Sequence, residues 1–175
     1  MTTNFLILAS AKALPTTKVT NQELTQLMAT SDDWIKQRTG IRSRHVATDE
    51  TTTSLAVSVA QQLLQQSRLA ATAIDLIIVA TMSPDYLTPA TAPQVQAAIG
   101  AEKAIAFDIN VACAGFVYGM QLVHQYLQPG QTALLIGSET LSRLVDWHDR
   151  STAVLFGDGA GGLLITARPN TATGH

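Results

Sequence analysis

Cys113 is the sole cysteine of the 175-residue chain. It lies where an apolar run, Ile105, Ala106, Phe107, Ile109 and Val111, gives way to Phe116, Met120, Val123 and Leu127 at helical spacing. A strand followed at once by a helix places the thiol at the helix start. There, unsatisfied backbone N–H groups and the positive end of the helix dipole favour a thiolate, the form that attacks a carbonyl carbon. The same elbow exposes nucleophiles in other acyl-transfer folds. The Cys113 N–H is a candidate oxyanion donor. Small neighbours, Ala112, Ala114 and Gly115, leave room for an acyl group beside the sulfur.

Trp34 and Arg38 stand four apart on a short predicted helix, so an indole plane and a guanidinium share one face and can present a stacking and phosphate-binding surface. Gly157-Asp158-Gly159-Ala160-Gly161-Gly162 lacks the Lys-Ser/Thr ending of a phosphate loop and precedes a strand, so it reads as a turn with close backbone packing. His45, His124, His148 and His175 have no metal-ligand spacing with one another or with Cys113, and no metal is expected. His124 follows Cys113 by eleven residues, about 16 Å along a helix axis, too far to act as the base for the thiol.

The elements that must position these groups alternate between strand-like and helical patterns, which predicts an α/β layered fold with a mixed, mainly parallel sheet. Strands are expected at Phe5–Ser10, Ile41–Ala47, Ile74–Thr81, Ile105–Val111 and Thr132–Gly137. Helices are expected at Asn21–Met28, from a Ser31 or Asp32 cap to Gly40, from Thr51, Thr52 or Thr53 through Leu55, Val59 and Leu63, at Ala92–Ile99 closed by Gly100, and after Cys113. Thr152–Phe156 and Gly161–Thr166 read as an antiparallel hairpin around Gly157-Asp158-Gly159.

With 46% hydrophobic and 14% charged residues, the chain has the composition of one globular unit, residues 1–175. A net charge of −2 with no run of Lys or Arg offers no footprint for nucleic acid. The apolar runs are strand-sized, well short of the roughly 20 residues a membrane-spanning helix needs. A lone thiol and an uncharged start, Met1-Thr2-Thr3-Asn4, argue against secretion and for a reducing cytoplasm.

Several segments together resemble the β-ketoacyl-acyl-carrier-protein synthase III family of thiolase-fold condensing enzymes. They are Ser31-Asp32-Asp33-Trp34-Ile35 with Arg38-Thr39-Gly40-Ile41-Arg42, Asn110-Val111-Ala112-Cys113-Ala114-Gly115-Phe116, Gly137-Ser138-Glu139, Asp149-Arg150, and Phe156-Gly157-Asp158-Gly159-Ala160-Gly161. The resemblance implies a thiolase-like layered fold, N-terminal half, in which Cys113 accepts the acyl group of acyl-CoA, usually acetyl-CoA. It implies further that Trp34 and Arg150 sandwich the adenine, that Arg38 helps hold the CoA phosphates, and that Thr30 and Phe156 line the same entrance. Thr88 matches a position where the family often carries a Phe that reaches across a dimer into the acyl pocket, so a different chain-length selectivity is expected.

The resemblance also implies a homodimer that condenses the acyl group with malonyl-acyl-carrier protein to start fatty acid synthesis, with acyl-CoA as substrate and no resident cofactor. The family's catalytic His and Asn have no counterpart in this sequence, so weak or absent condensation is expected, and Ala167–His175 reads as a loop within a longer protein. Lys36, Arg42 and Arg44 are candidates for carrier-protein docking. Two other readings stand beside this one: another thiolase-fold acyltransferase, of quinolone or polyketide-starter type, and a non-catalytic dimerising half-domain.

Overall fold

The computed structural model describes residues 3–169. In chain order the elements are β1 (Thr3–Ala13), β2 (Lys18–Thr20), α1 (Asn21–Leu24), α2 (Asp32–Thr39), β3 (Ser43–His45), α3 (Thr52–Ser67), β4 (Leu76–Ala80), α4 (Thr91–Ile99), β5 (Ile105–Ile109), α5 (Gly115–Tyr126), β6 (Thr132–Thr140), α6 (Arg150–Ala153) and β7 (Asp158–Pro169). Five strands form one sheet in the order β1-β7-β6-β4-β5, and β2 pairs with β3 in a separate ribbon.

β4 lies inside the sheet, between β6 and β5. All five of its residues are buried, and their alternation divides the core. Ile77 and Val79 face α3 and α4, packing with Leu55, Val59, Leu63 and Val95. Leu76 and Ile78 face the opposite layer, where Val123 of α5 and Leu127 cover them. A third, smaller cluster, Leu24, Met28, Ile35, Ala153 and Val154, joins α1, α2 and α6 away from the sheet.

The sheet is mixed in equal parts, where the sequence pattern suggests mainly parallel pairing. β4 runs parallel to β5 and β6, whereas β7 is antiparallel to both β6 and β1. The expected hairpin around Gly157-Asp158-Gly159 is absent for the same reason. Residues 158–169 form one long strand inserted between β1 and β6, and the preceding run is helical at α6, started by Asp149, whose carboxylate accepts from Ser151 N–H at 2.8 Å. Ala167–Pro169, expected in a loop, finish this strand; residues 170–175, including His175, lie outside the described residues.

The first expected helix is also shorter than its pattern. It starts on a Thr20/Glu23 capping box but ends at Leu24, because Thr25 Oγ1 turns back to Gln22 O at 2.7 Å and the next amides bond three residues back. The strand expected over Ile41–Ala47 contracts to Ser43–His45. The starts of α2 and α3 follow the sequence, with Ser31 and Thr51 as N-caps, and Gly40 and Gly100 close α2 and α4 in left-handed conformations.

Candidate active site

β5 delivers Cys113. The strand ends at Ile109, and the chain then makes one tight 3₁₀ turn, Ala112–Ala114, before α5 begins at Gly115. Two hydrogen bonds close this turn, Ala114 N–H to Val111 O at 3.1 Å and Gly115 N–H to Ala112 O, neither of them from Cys113. Cys113 is exposed and forms no disulfide. The residue before it, Ala112, has a φ of +45°, a left-handed conformation that costs a side-chain-bearing residue on the order of 1 kcal/mol or more. Backbone strain is thus stored directly beside the sulfur.

Of the three small neighbours read as acyl space, Gly115 has a different function. A Cβ at Gly115 would lie 3.0 Å from Ala80 Cβ, so the missing side chain lets the start of α5 rest on the end of β4. Ala112 is exposed and Ala114 half-buried, and these two leave the sulfur open. Gly119, one turn on, brings α5 against Leu135 of β6.

The second group of predicted residues converges at α2 and α6. The Arg38 guanidinium lies over the Trp34 ring at 4.3 Å, and that of Arg150 at 4.6 Å. Arg150 Nη1 also donates to Ala29 O at 3.0 Å. A cleft of about 370 Å³ opens between Ala29, Thr30, Ser31, Trp34 and Arg150. Thr30 Oγ1 is buried in its wall without a hydrogen-bond partner. The structure therefore brings Thr30, Trp34, Arg38 and Arg150 together. Cys113, Thr88 and Phe156 are not part of this cleft's lining: Thr88 is exposed on the loop between β4 and α4, and Phe156 is half-buried just before β7.

The acidic groups near these elements hold backbone rather than face Cys113. Asp108 of β5 accepts from Thr91 N–H and Ala92 N–H at the start of α4. Asp85 does the same for Thr52 and Thr53 at the start of α3; burial pushes its carboxyl up, but hydrogen bonds from Thr53, Thr51 and Thr52 outweigh that and hold it below the usual range. Glu139 grips Thr81, Met82 and Ser83. Asp158, the acid of the glycine-rich stretch, takes Ala47 N–H and Ser142 N–H at 2.6 and 2.8 Å. The His124 ring meets Phe5 with centroids 4.7 Å apart and planes tilted by 40°. Among the described residues, no three His, Cys, Asp or Glu side chains are grouped to hold a metal ion. No helix among them is long and apolar enough to cross a membrane.

Of the basic docking candidates, Arg44 is buried and unavailable to a partner, Lys36 pairs with Asp32 on its own helix, and Arg42 is exposed. Sequence reasoning missed the buried role of Arg44; its place between two hydrophilic neighbours, Ser43 and His45, gave no apolar signal.

The mixed sheet with helices on both faces, and a cysteine on a strained elbow between β5 and α5, define a thiolase-like α/β unit. Comparison with known proteins agrees. The family described as 3-oxoacyl-[acyl-carrier-protein (ACP)] synthase III matches residues 107–174. The chain is 98% identical over 175 residues to beta-ketoacyl-[acyl-carrier-protein] synthase III 2 of Lactiplantibacillus plantarum, covering all of this chain and 53% of that protein. It is 64% identical over 166 residues to the synthase III of Levilactobacillus brevis, covering 94% of this chain and 51% of the relative. The crystal structure of 3-oxoacyl-[acyl-carrier-protein] synthase III from Aquifex aeolicus superposes with a TM-score of 0.91 at 42% identity, over 95% of this chain and 55% of that one. The priming β-ketosynthase of the R1128 polyketide pathway superposes at 0.88 and 32% identity, over 93% and 49%. Over nearly its whole length the chain is similar to β-ketoacyl-[acyl-carrier-protein] synthase III proteins. It spans about half the length of the curated relatives it matches.

Proposed function

We propose that this chain carries the acyl-loading part of a β-ketoacyl-acyl-carrier-protein synthase III: CoA thioester recognition at Trp34, Arg38, Arg150 and Thr30, and acyl transfer to Cys113. The observation that carries this reading is the convergence of two guanidinium groups on one indole beside a cleft, in a fold that also exposes the single thiol on a strained elbow. Two cations and an aromatic plane suit a ligand that joins phosphates to a purine. The Cys113 sulfur attacks the thioester carbonyl, the C–S bond to CoA breaks, and CoA leaves as its thiol, so that the acyl group remains on Cys113.

In the complete reaction the acyl group, from acetyl-CoA in the first reading, passes to malonyl-acyl-carrier protein with loss of carbon dioxide. Association as a homodimer in the cytoplasm belongs to the same proposal. It is supported by apolar side chains left exposed along the elbow and its neighbours, Ile105, Val111, Val117 and Tyr118.

A second reading, a starter-unit acyltransferase with another chain length, is favoured by one feature. The loop that carries Thr88 presents an exposed Thr rather than an aromatic ring, with Leu87 beside it 96% exposed. The third, a non-catalytic half-domain, makes the opposite prediction about Cys113. Intact mass before and after acetyl-CoA, with Cys113→Ser as control, tests all three. An acetyl adduct absent from the variant supports loading, a longer acyl-CoA that loads faster than acetyl-CoA supports the starter-unit reading, and a folded chain that takes no acyl group overturns both.

A further inference from the structure

Arg44 sits on β3 with 5% of its surface exposed. Its Nη2 donates to Asn21 Oδ1 at 2.8 Å and to Val154 O at 3.3 Å, and its Nη1 donates to Val19 O at 3.4 Å. Its Nε is buried without a partner. Every acceptor is neutral. A guanidinium taken from water without a contacting carboxylate is an expensive way to fill a core, and an apolar side chain would fill it at lower cost. The fork does what no apolar group can do: one planar group donates to acceptors on β2, on α1, which follows it directly, and at the end of α6.

Two of those segments lead to the CoA-recognition face. Val154 is the C-cap of α6, the four-residue helix that opens with Arg150. Asn21, itself buried, passes the connection on through Nδ2 to Asp32 Oδ1 at 2.9 Å and to Ile41 O at 2.7 Å. Asp32 begins α2, and Trp34 follows two residues later. The link from α6 to α2 therefore runs Val154, Arg44, Asn21, Asp32. Hydrogen bonds from Lys36 first, and then from Asn21, hold the Asp32 carboxyl below its usual range, so the far end of the link carries a negative charge. The chain presses on Arg44 from a further side, since a Cβ at Gly157 would lie 2.9 Å from Arg44 Cβ.

We infer that Arg44 is a positioning residue that sets the spacing between Trp34 on α2 and Arg150 on α6, and through it the affinity of the chain for the nucleotide part of CoA. The inference rests on the reading of that face as a CoA site. It does not concern acyl transfer itself, because the hydrogen bonds of the buried Arg44 go to Val19, Asn21 and Val154 and not to Cys113.

The test measures two properties of the whole chain. The first is CoA affinity by titration calorimetry. The second is the upfield ring-current shift that the Trp34 indole imposes on the Arg150 side-chain protons in the absence of any ligand. Arg44→Lys keeps the charge and loses the fork; Gly157→Ala displaces Arg44 from outside and covers the case in which Arg44→Lys fails to fold. Leu63→Ala, in the core between α3 and the sheet, is the control for simple loss of stability. The expected result is a lost ring-current shift and CoA binding weaker by about tenfold in both variants, the equivalent of one cation–π partner, with both properties unchanged in Leu63→Ala. A retained shift with wild-type affinity overturns the inference, as does an equal loss in Leu63→Ala. If the wild-type chain binds no CoA, the nucleotide reading fails while the ring-current shift still decides whether Arg44 sets the spacing.

Discussion

Asp108 holds Ala92: its Oδ1 accepts the Ala92 N–H at 2.6 Å, while Oδ2 takes Thr91 N–H at 2.7 Å. The strand that delivers Cys113 is thereby fastened to the first turn of α4, whose own N-cap residue, Ala90, makes no side-chain hydrogen bond. A carboxylate from a neighbouring strand does the work of the missing cap and also meets the positive end of the helix. Asp108→Ala leaves two amides at the start of α4 unpartnered. The expected cost is about 1–2 kcal/mol in a denaturant melt, and slower alkylation of Cys113 is not expected, because the variant frees β5 rather than covers the sulfur.

Ala112 makes the elbow sensitive in a specific way. At a φ of +45°, glycine removes the steric cost of the side chain but adds unfolded-state entropy, so Ala112→Gly stays within about 1 kcal/mol of wild type. Ala112→Val puts a β-branched residue where the backbone disfavours it most and costs about 1–3 kcal/mol. Comparison of the two by thermal melts and by acyl loading on Cys113 separates strain from side-chain bulk. Equal losses in both variants would show that the left-handed conformation is not what holds the turn.

Gly119 sets how closely the helix behind Cys113 approaches the sheet. A Cβ there would fall 2.4 Å from Leu135 Cδ1, in a fully buried part of β6. Alanine is the better helix former by about 1 kcal/mol, but the overlap forces Leu135 or the helix itself to move, at about 1–3 kcal/mol. Gly119→Ala is expected to melt lower than wild type, and Gly119→Ala with Leu135→Val to recover part of the loss. A variant as stable as wild type would mean that Leu135 rotates away freely.

These positions show what the sequence made legible. The cysteine elbow, the Ser31, Thr51, Gly40 and Gly100 caps, and the pairing of Trp34 with Arg38 are local, and spacing along the chain is enough to see them. Asp108 on α4, Asp158 on the segments at Ala47 and Ser142, and Arg44 on Val154 join residues from 16 to 111 positions apart, and no periodicity records such pairs. The misread hairpin has the same origin. Gly157-Asp158-Gly159 carries a turn signature, yet its glycines answer to tertiary crowding: a Cβ at Gly157 would lie 2.9 Å from Arg44 Cβ and 3.0 Å from His45 O, and one at Gly159 would lie 2.9 Å from Leu14 Cδ2. The close backbone packing expected of these glycines is present; the reversal of the chain is not, because residues 158–169 run on as one strand.

Arg150 rests directly on the Trp34 indole, so an adenine ring can enter between them only if Arg150 lifts away from both the ring and Ala29 O. Removing Arg150 therefore has two opposed effects, one cation lost and one occupant cleared. Trp34→Ala loses the stacking plane outright and is expected to weaken CoA binding more than Arg150→Ala does, by a further factor of about ten. Arg38 lies over the ring at 4.3 Å; if it holds the CoA phosphates as proposed, Arg38→Ala is expected to reduce binding of CoA strongly and of adenosine much less. Calorimetry with the two ligands checks the order. Equal effects of Arg38→Ala on both would remove the phosphate assignment.

Glu50, like Asp85 at the first amides of α3, is a carboxylate through which pH acts on the approach to that helix. Its carboxylate accepts Thr16 N–H at 2.9 Å and Thr48 N–H at 3.2 Å, and its own carbonyl takes Arg143 Nη2 at 2.6 Å. The Thr16 amide first, then the amides of Glu50 itself and Thr48, lower its pKa from 4.5 to about 2. A carboxyl lowered on folding binds its proton less readily in the folded chain than in the unfolded one. Its stabilisation is therefore complete above 4.5 and is lost as the pH falls through about 2. Glu50→Gln keeps the Arg143 contact, which belongs to the backbone, and removes the charge. The expected melting curves differ most near neutrality, converge as the pH falls through the window between those two values, and coincide below it. A gap that persists unchanged in acid would mean that the glutamine fails on shape rather than on charge, and that the Thr16 and Thr48 amides are not held by an ionised Glu50.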